Sequence, residues 1–387
     1  MRSGWIGVLA AVVFVLVGAG VARGQVFRPG DDFLEPGFTT KDLEHAAELF
    51  GFDAVQGEIA TEMVNECLTR MAIGVEQMST VLNAAEEEFQ ETRDIAIWND
   101  FKDRTEEFEK RKEAITDQLM ADLRLLLRPE QEVYWSRFER DLRRRRTISE
   151  GGLVSGETVD LVKMLDDLEV RGEARQAIAS LEDQYVTELD RALVKRNEVY
   201  DDTTDKAFER FTTEGFGDMD SVMEYFRELL EDAMVQAIRV RDINLKYAAT
   251  IGRSLPPEIG QEFRDAFNEL CYPRVYRAST TDRAFETILS FEDLTDEQRA
   301  QVLEAQSRYV QSRERLDANW ARAIAEQEEE RDVLRVMGIE PSTEATRETR
   351  TARRELDRTA YEQVLQVLTE EQARRLPPPV RRDRGDD

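Results

Sequence analysis

The chain has 387 residues, with 53 Lys and Arg against 81 Asp and Glu, one His, two Cys and a formal charge of -28. Hydrophobic residues at 41% exclude wholesale disorder, while 35% charged residues with only 10 Pro and 20 Gly imply long helices with broad solvated faces. So acidic a surface repels polyanions, which argues against nucleic-acid binding, and one His with two Cys leaves little for soft-metal ligation or nucleophile-base catalysis.

Residues 1–24 read as a secretory signal peptide. Arg2 supplies the positive start, residues 6–22 are apolar and small, and cleavage is expected after Ala22 or Gly24. The run is shorter than the ~20 apolar residues of a membrane span and rich in Gly, so cleavage is expected rather than anchoring, with no membrane association afterwards. The expected location is periplasmic or secreted. An oxidising compartment would allow Cys67 and Cys271 to form a disulfide; the competing reading is two small buried thiols on different helices. Residues 25–50, which hold His45, are set apart as an N-terminal extension.

From there the sequence repeats. Ile115, Leu119, Leu123 and Leu127 form a four-residue apolar ladder, matched by Ile243, Tyr247, Ile251 and Leu255 and by Leu356, Ala360, Val364 and Leu368. A step of four held over three turns is one face of a helix. Three residues past each terminal Leu stands an acid (Glu130, Glu258, Glu371), and eight past it a bulky apolar residue (Trp135, Phe263, Leu376). Each ladder has a leading helix, clearest where Val302, Tyr309, Leu316 and Ala323 follow a coiled-coil-like period of seven. The expected fold is all-α, without sheet: three related units of tandem long helical hairpins over 51–146, 158–278 and 279–380. Turns are expected at 94–100, 212–220 and 337–345, a linker over 147–157, a connector at 279–282 and a disordered tail over 381–387. The basic run at 140–146 is read as a helix C-terminus paired within the molecule.

The third unit carries a short motif twice, Leu294-Thr295-Asp296-Glu297-Gln298 and Leu368-Thr369-Glu370-Glu371-Gln372. Thr followed three residues later by Gln is a capping box, in which each side chain satisfies an open N–H of the other residue, and the preceding Leu closes a hydrophobic staple. In the first unit Leu127-Arg128-Pro129-Glu130-Gln131 replaces the capping Thr by Arg, and in the second only Leu255 and Glu258 remain. These segments resemble the periplasmic LTxxQ-motif family, the Spy/CpxP-like stress proteins. The resemblance implies long helices in a hairpin with a motif at the start of the first and another near the last. It also implies ATP-independent chaperones or stress sensors that bind unfolded clients.

Function is therefore expected to be that of an exported, non-enzymatic protein-binding module with a chaperone-like role in envelope protein homeostasis. The expected partners are unfolded or envelope proteins. The alternatives are a structural or interaction spacer of the envelope and a metal- or stress-sensing regulator of the same family. No P-loop, nucleophile elbow, HExxH, CxxC or EF-hand pattern occurs, so no catalytic residue, cofactor or metal ligand is assigned. Met63, Met71, Met78, Met219, Met223 and Met234 are weighed as an adaptable binding surface against ordinary core. Trp98, in an expected loop, is the candidate partner contact.

Overall fold

The computed structural model describes residues 36–92, 97–214, 219–329 and 343–376. Every regular element among them is helical. Contacts divide the chain into two compact units, Met1–Gly260 and Gln261–Asp387. The expected signal peptide and the 381–387 tail lie outside the described residues, as do most of the expected turn positions.

In the first unit, α1 (Thr40–Phe50) is capped by Thr39, whose hydroxyl accepts from the Asp42 N–H while Asp42 accepts from the Thr39 N–H. It is followed by the long helices α2 (Ala54–Thr92) and α3 (Ile97–Leu125), the single turn α4 (Pro129–Glu132) and α5 (Trp135–Thr147). The helices α2 and α3 run antiparallel, since Gln56 near the start of one bonds Leu126 just past the end of the other, and Gly74 meets Phe108 midway. Phe38, Ala46, Phe50, Val64, Cys67, Met71, Ile115, Leu119, Leu123, Trp135 and Phe138 form one core. The segment before residue 51, set apart as an extension, therefore contributes Phe38, Ala46 and Phe50 to this core.

A second antiparallel pair follows in the same unit. The short helix α6 (Leu161–Asp167) precedes α7 (Gly172–Glu214) and α8 (Met219–Ser254), and α7 bonds α8 through Tyr185 to Asn244 and Glu188 to Tyr247 and Lys246. Ile243, Tyr247, Ile251 and Leu255 are all buried, as the ladder requires. The helix α9 (Pro257–Cys271) spans the boundary between the units.

The other unit holds α10 (Pro273–Tyr276), α11 (Thr280–Leu289), α12 (Asp296–Glu329), α13 (Glu344–Leu365) and the turn α14 (Glu370–Ala373). Again the long pair is antiparallel: Gln298 bonds Val367, Tyr309 bonds Asp357 and Asp317 bonds Arg353. Ser279, expected in a connector, caps α11 in a box with Asp282, and Asp282 then pairs with Arg313.

The expected linker over 147–157 is not a linker. Glu157 and Arg196 are both sealed from solvent and pair at 3.2 Å. Glu157 Oε2 accepts the Gly152 and Leu153 amides at 2.8 and 3.0 Å, and Oε1 accepts the Tyr200 hydroxyl at 2.8 Å. Arg196 also donates to the Thr147 carbonyl, and Asn244 Nδ2 donates to the Gly156 carbonyl at 2.8 Å. Ile148, Leu153, Val154 and Val159 are buried beside them. The glycines of this segment serve close approach and left-handed backbone: Gly152 and Gly156 have φ of 128° and 83°. A Cβ on Gly151 would sit 2.5 Å from the Glu157 carboxyl carbon and 2.9 Å from Arg196 Nη1. Gly151→Ala should therefore destabilise the protein by about 2 kcal/mol or more through displacement of this pair, measured by urea unfolding. Glu157→Ala, which strands a buried guanidinium, should cost about 3–5 kcal/mol in the same assay.

Candidate functional site

The motif residues meet in space. In the outer hairpins the third residue of the leading helix is Gln (Gln56 in α2, Gln298 in α12), and so is the third residue of the trailing turn (Gln131 in α4, Gln372 in α14). Gln298 completes its capping box with Thr295, bonding backbone to side chain at 3.1 Å in both directions, and Gln372 does the same with Thr369. The Gln298 amide then donates to the Val367 carbonyl at 2.9 Å and to Gln372 Oε1 at 3.1 Å, while Gln372 donates to the Asp293 carbonyl. Leu294 and Leu368 pack beneath, against the core of Phe285, Val302, Tyr309 and Val364.

The first hairpin repeats the arrangement more deeply buried. Gln56 and Gln131 donate to each other at 2.9 and 3.2 Å, and their remaining amide hydrogens go to the Leu126 and Phe50 carbonyls. Each carboxamide oxygen also accepts a capping N–H, from Asp53 and from Arg128, so both side chains are fully bonded. Arg128 offers no acceptor and keeps only half of its box; its guanidinium pairs with Asp53 instead. Leu127 is half-buried against the core, and Glu130 is exposed. Sequence reading missed Phe52-Asp53-Ala54-Val55-Gln56, because Asp takes the place of Thr as the cap. The signal was present: Gln56 precedes Gln131 by 75 residues, as Gln298 precedes Gln372 by 74.

In the middle hairpin the same two helix positions are Ala174 and Ile259. Both amides are absent together, as expected if neither can be buried without the other.

Other expectations fare differently. Cys67 and Cys271 are free and buried, so no disulfide joins them. Cys67 is packed into the first core, and burial raises its thiol pKa; burial, with the charge of Glu328, pushes Cys271 up to about 12. Met71, Met78 and Met234 are core residues and Met63 is partly buried against the core, which removes them from any binding surface; the side chains of Met219 and Met223 lie outside the described ones. Trp98 falls in the first turn of α3 rather than a loop, and its side chain likewise is not among those described. The basic run is paired internally: Arg143 with Asp190, Arg144 with Asp141 and Asp160, and Arg146 with Asp42.

His45 is occupied structurally. It stacks on Phe138 and bonds Asp141 at 3.2 Å. Burial raises the Asp141 pKa, but the His45 hydrogen bond and the Arg144 charge outweigh it, so the carboxyl titrates below its ordinary range. Among the described residues no group of three or more His, Cys, Asp or Glu is placed to hold a metal ion, and no helix is long and apolar enough to cross a membrane.

Among the described residues, most of the exposed large apolar side chains belong to the first hairpin and the turn after it, with Val194, Val235, Leu270 and Leu303 scattered singly elsewhere. Near the end where α2 begins and α3 finishes, Val55, Leu125, Val133 and Tyr134 are 65%, 84%, 73% and 45% exposed, with Ile59 and Ile73 farther along α2. No family model, curated protein or solved structure matches the chain.

Gln131→Ala should cost about 2–3 kcal/mol, since it strips a buried bond each from the Gln56 amide, the Gln56 carboxamide oxygen and the Phe50 carbonyl, whereas Thr295→Ala should cost only the ~1 kcal/mol of a lost cap. A double-mutant cycle on Gln56 and Gln131 in urea should show coupling of about 1 kcal/mol or more, and additive effects would contradict the paired geometry. Because the folded-state pKa of Asp141 is depressed, its contribution is complete above the unfolded value near ~4 and is lost as pH falls through the folded value. Asp141→Asn should therefore flatten the acid limb of a stability-against-pH curve.

Proposed function

We propose that this chain is an exported, non-enzymatic module that binds other proteins without ATP and acts in envelope protein homeostasis in a chaperone-like way. The observation that carries this reading is the set of exposed apolar residues near the end of the first hairpin where α2 begins and α3 finishes, Val55 and Leu125 on the pair and Val133 and Tyr134 just before α5, while the facing sides of the pair bury the core. Single exposed apolar residues are ordinary, but several near one end of one hairpin offer apolar surface of the kind that captures partners. The resemblance to the LTxxQ-motif family supports the same reading. Capping boxes that begin the first helix and follow the second, joined by their glutamines, fit the hairpin architecture which that resemblance implies. Metal sensing is less well supported, because His45 is already engaged by Asp141 and Phe138.

The test is light scattering of several unrelated unfolding clients with and without the purified protein, in the absence of nucleotide. Suppression of aggregation at stoichiometric amounts is expected. Failure on every client would reject the chaperone-like role and favour a structural spacer of the envelope.

A further inference from the structure

Along α2, positions 55, 59, 62, 66, 69, 73 and 76 follow at alternating steps of four and three residues, so they make one stripe down the helix. All seven are exposed, while Val64, Cys67, Met71 and Met78 bury the opposite face. The stripe is mixed in chemistry: it reads Val55, Ile59, Glu62, Glu66, Thr69, Ile73 and Glu76, so apolar and acidic residues share it. Among the described residues no ion pair or hydrogen bond holds those three carboxylates. Over its whole length α2 has eight Glu and one Arg, a net charge of -7. A three-four stripe is the spacing of a coiled-coil seam, and among the described residues no helix covers this one.

Charge selects the occupant. A second copy would bring a stripe of the same sign against this one, and an anionic lipid surface would be repelled in the same way. An apolar helix without charge would leave Glu62 and Glu66 desolvated and unpaired. A helix that carries Leu or Ile at three-four spacing with Lys or Arg beside them satisfies both components: its anchors cover Val55, Ile59 and Ile73, and its cations meet the glutamates. We infer that the outer stripe of α2 is a docking surface for cationic amphipathic helical segments of other proteins. This inference rests on the protein-binding reading and narrows it to a partner chemistry.

The experiment uses the full chain and two fluorescein-labelled synthetic peptides with leucines at three-four spacing, one flanked by lysines and the other by glutamates. Fluorescence anisotropy should show binding of the lysine peptide alone, weakening as salt shortens the screening length from ~10 Å at 0.1 M toward ~3 Å at 1 M. The exposed double variants Glu62→Lys/Glu66→Lys and Ile59→Ser/Ile73→Ser should each weaken that binding by about tenfold or more, with helix content unchanged by circular dichroism. Equal binding of both peptides, no binding of either, or full affinity in both double variants would overturn the inference. The same variants separate it from the broader reading in the light-scattering assay. Suppression that survives both double variants removes the role of α2 and leaves protein binding in place. Lysine-peptide binding that depends on these residues, without suppression of any client, keeps the docking surface and rejects the chaperone-like role.

Discussion

The ion pair between Glu157 and Arg196 is the constraint on which the first unit depends. Neither residue touches solvent, and the desolvation of two charges is repaid only when geometry is good and every remaining polar atom is bonded. Here the carboxylate takes two backbone amides and the Tyr200 hydroxyl besides the guanidinium. Burial and the neighbouring carboxylate charge hold the Tyr200 pKa well above its ordinary value, so that hydroxyl stays a donor. A segment of Gly, Ser and Glu thereby becomes interior. It fixes the C-terminus of α5 against α7 through the Thr147 carbonyl, and Asn244 on α8 holds the other side of the turn. Exchange of the pair for apolar residues of similar volume is a different matter from removal of one partner, because only the latter leaves a buried charge alone.

The hairpins close by two different devices. In the outer pairs, glutamines that belong to capping boxes at opposite ends of the sequence unit reach across and bond each other. One side chain thus starts a helix and also sets the register of the pair. In the middle pair Ala174 and Ile259 stand at those positions, and there Tyr185 bonds Asn244 and the Leu161 amide, tying the helix pair to the incoming chain. Short capped helices precede each pair, and each offers an acid to an arginine: Asp42 to Arg146, Asp160 to Arg144 and Asp282 to Arg313. The acidic composition is in this way partly consumed inside the fold, and the surplus gathers on exposed faces such as that of α2.

Much of this architecture was legible from periodicity. The ladders of Ile115, Leu119 and Leu123 and of Ile243, Tyr247 and Ile251 face the core because a four-residue step admits only one helical face. The capping of Thr295 and Thr369 was readable for a similar reason, since both partners lie within one turn. What escaped depended on distance along the chain. Glu157 and Arg196 are 39 residues apart, and locally their segment has the composition of a flexible connector. The bonding of Gln56 to Gln131 across 75 residues has no local signature, and Asp53 concealed the first box by capping with a carboxylate. Cysteine count left a disulfide and two small buried thiols both open, and each thiol is used as a small buried hydrophobe.

The most direct test of the buried-turn account is native-state hydrogen exchange at the Gly152 and Leu153 amides, both of which bond Glu157. If the turn is part of the core, these amides exchange as slowly as those in the centres of α7 and α8, through opening of the whole unit. Exchange at the rate of an open loop, with the helix centres still protected, would contradict the account and return residues 147–157 to the role of a linker.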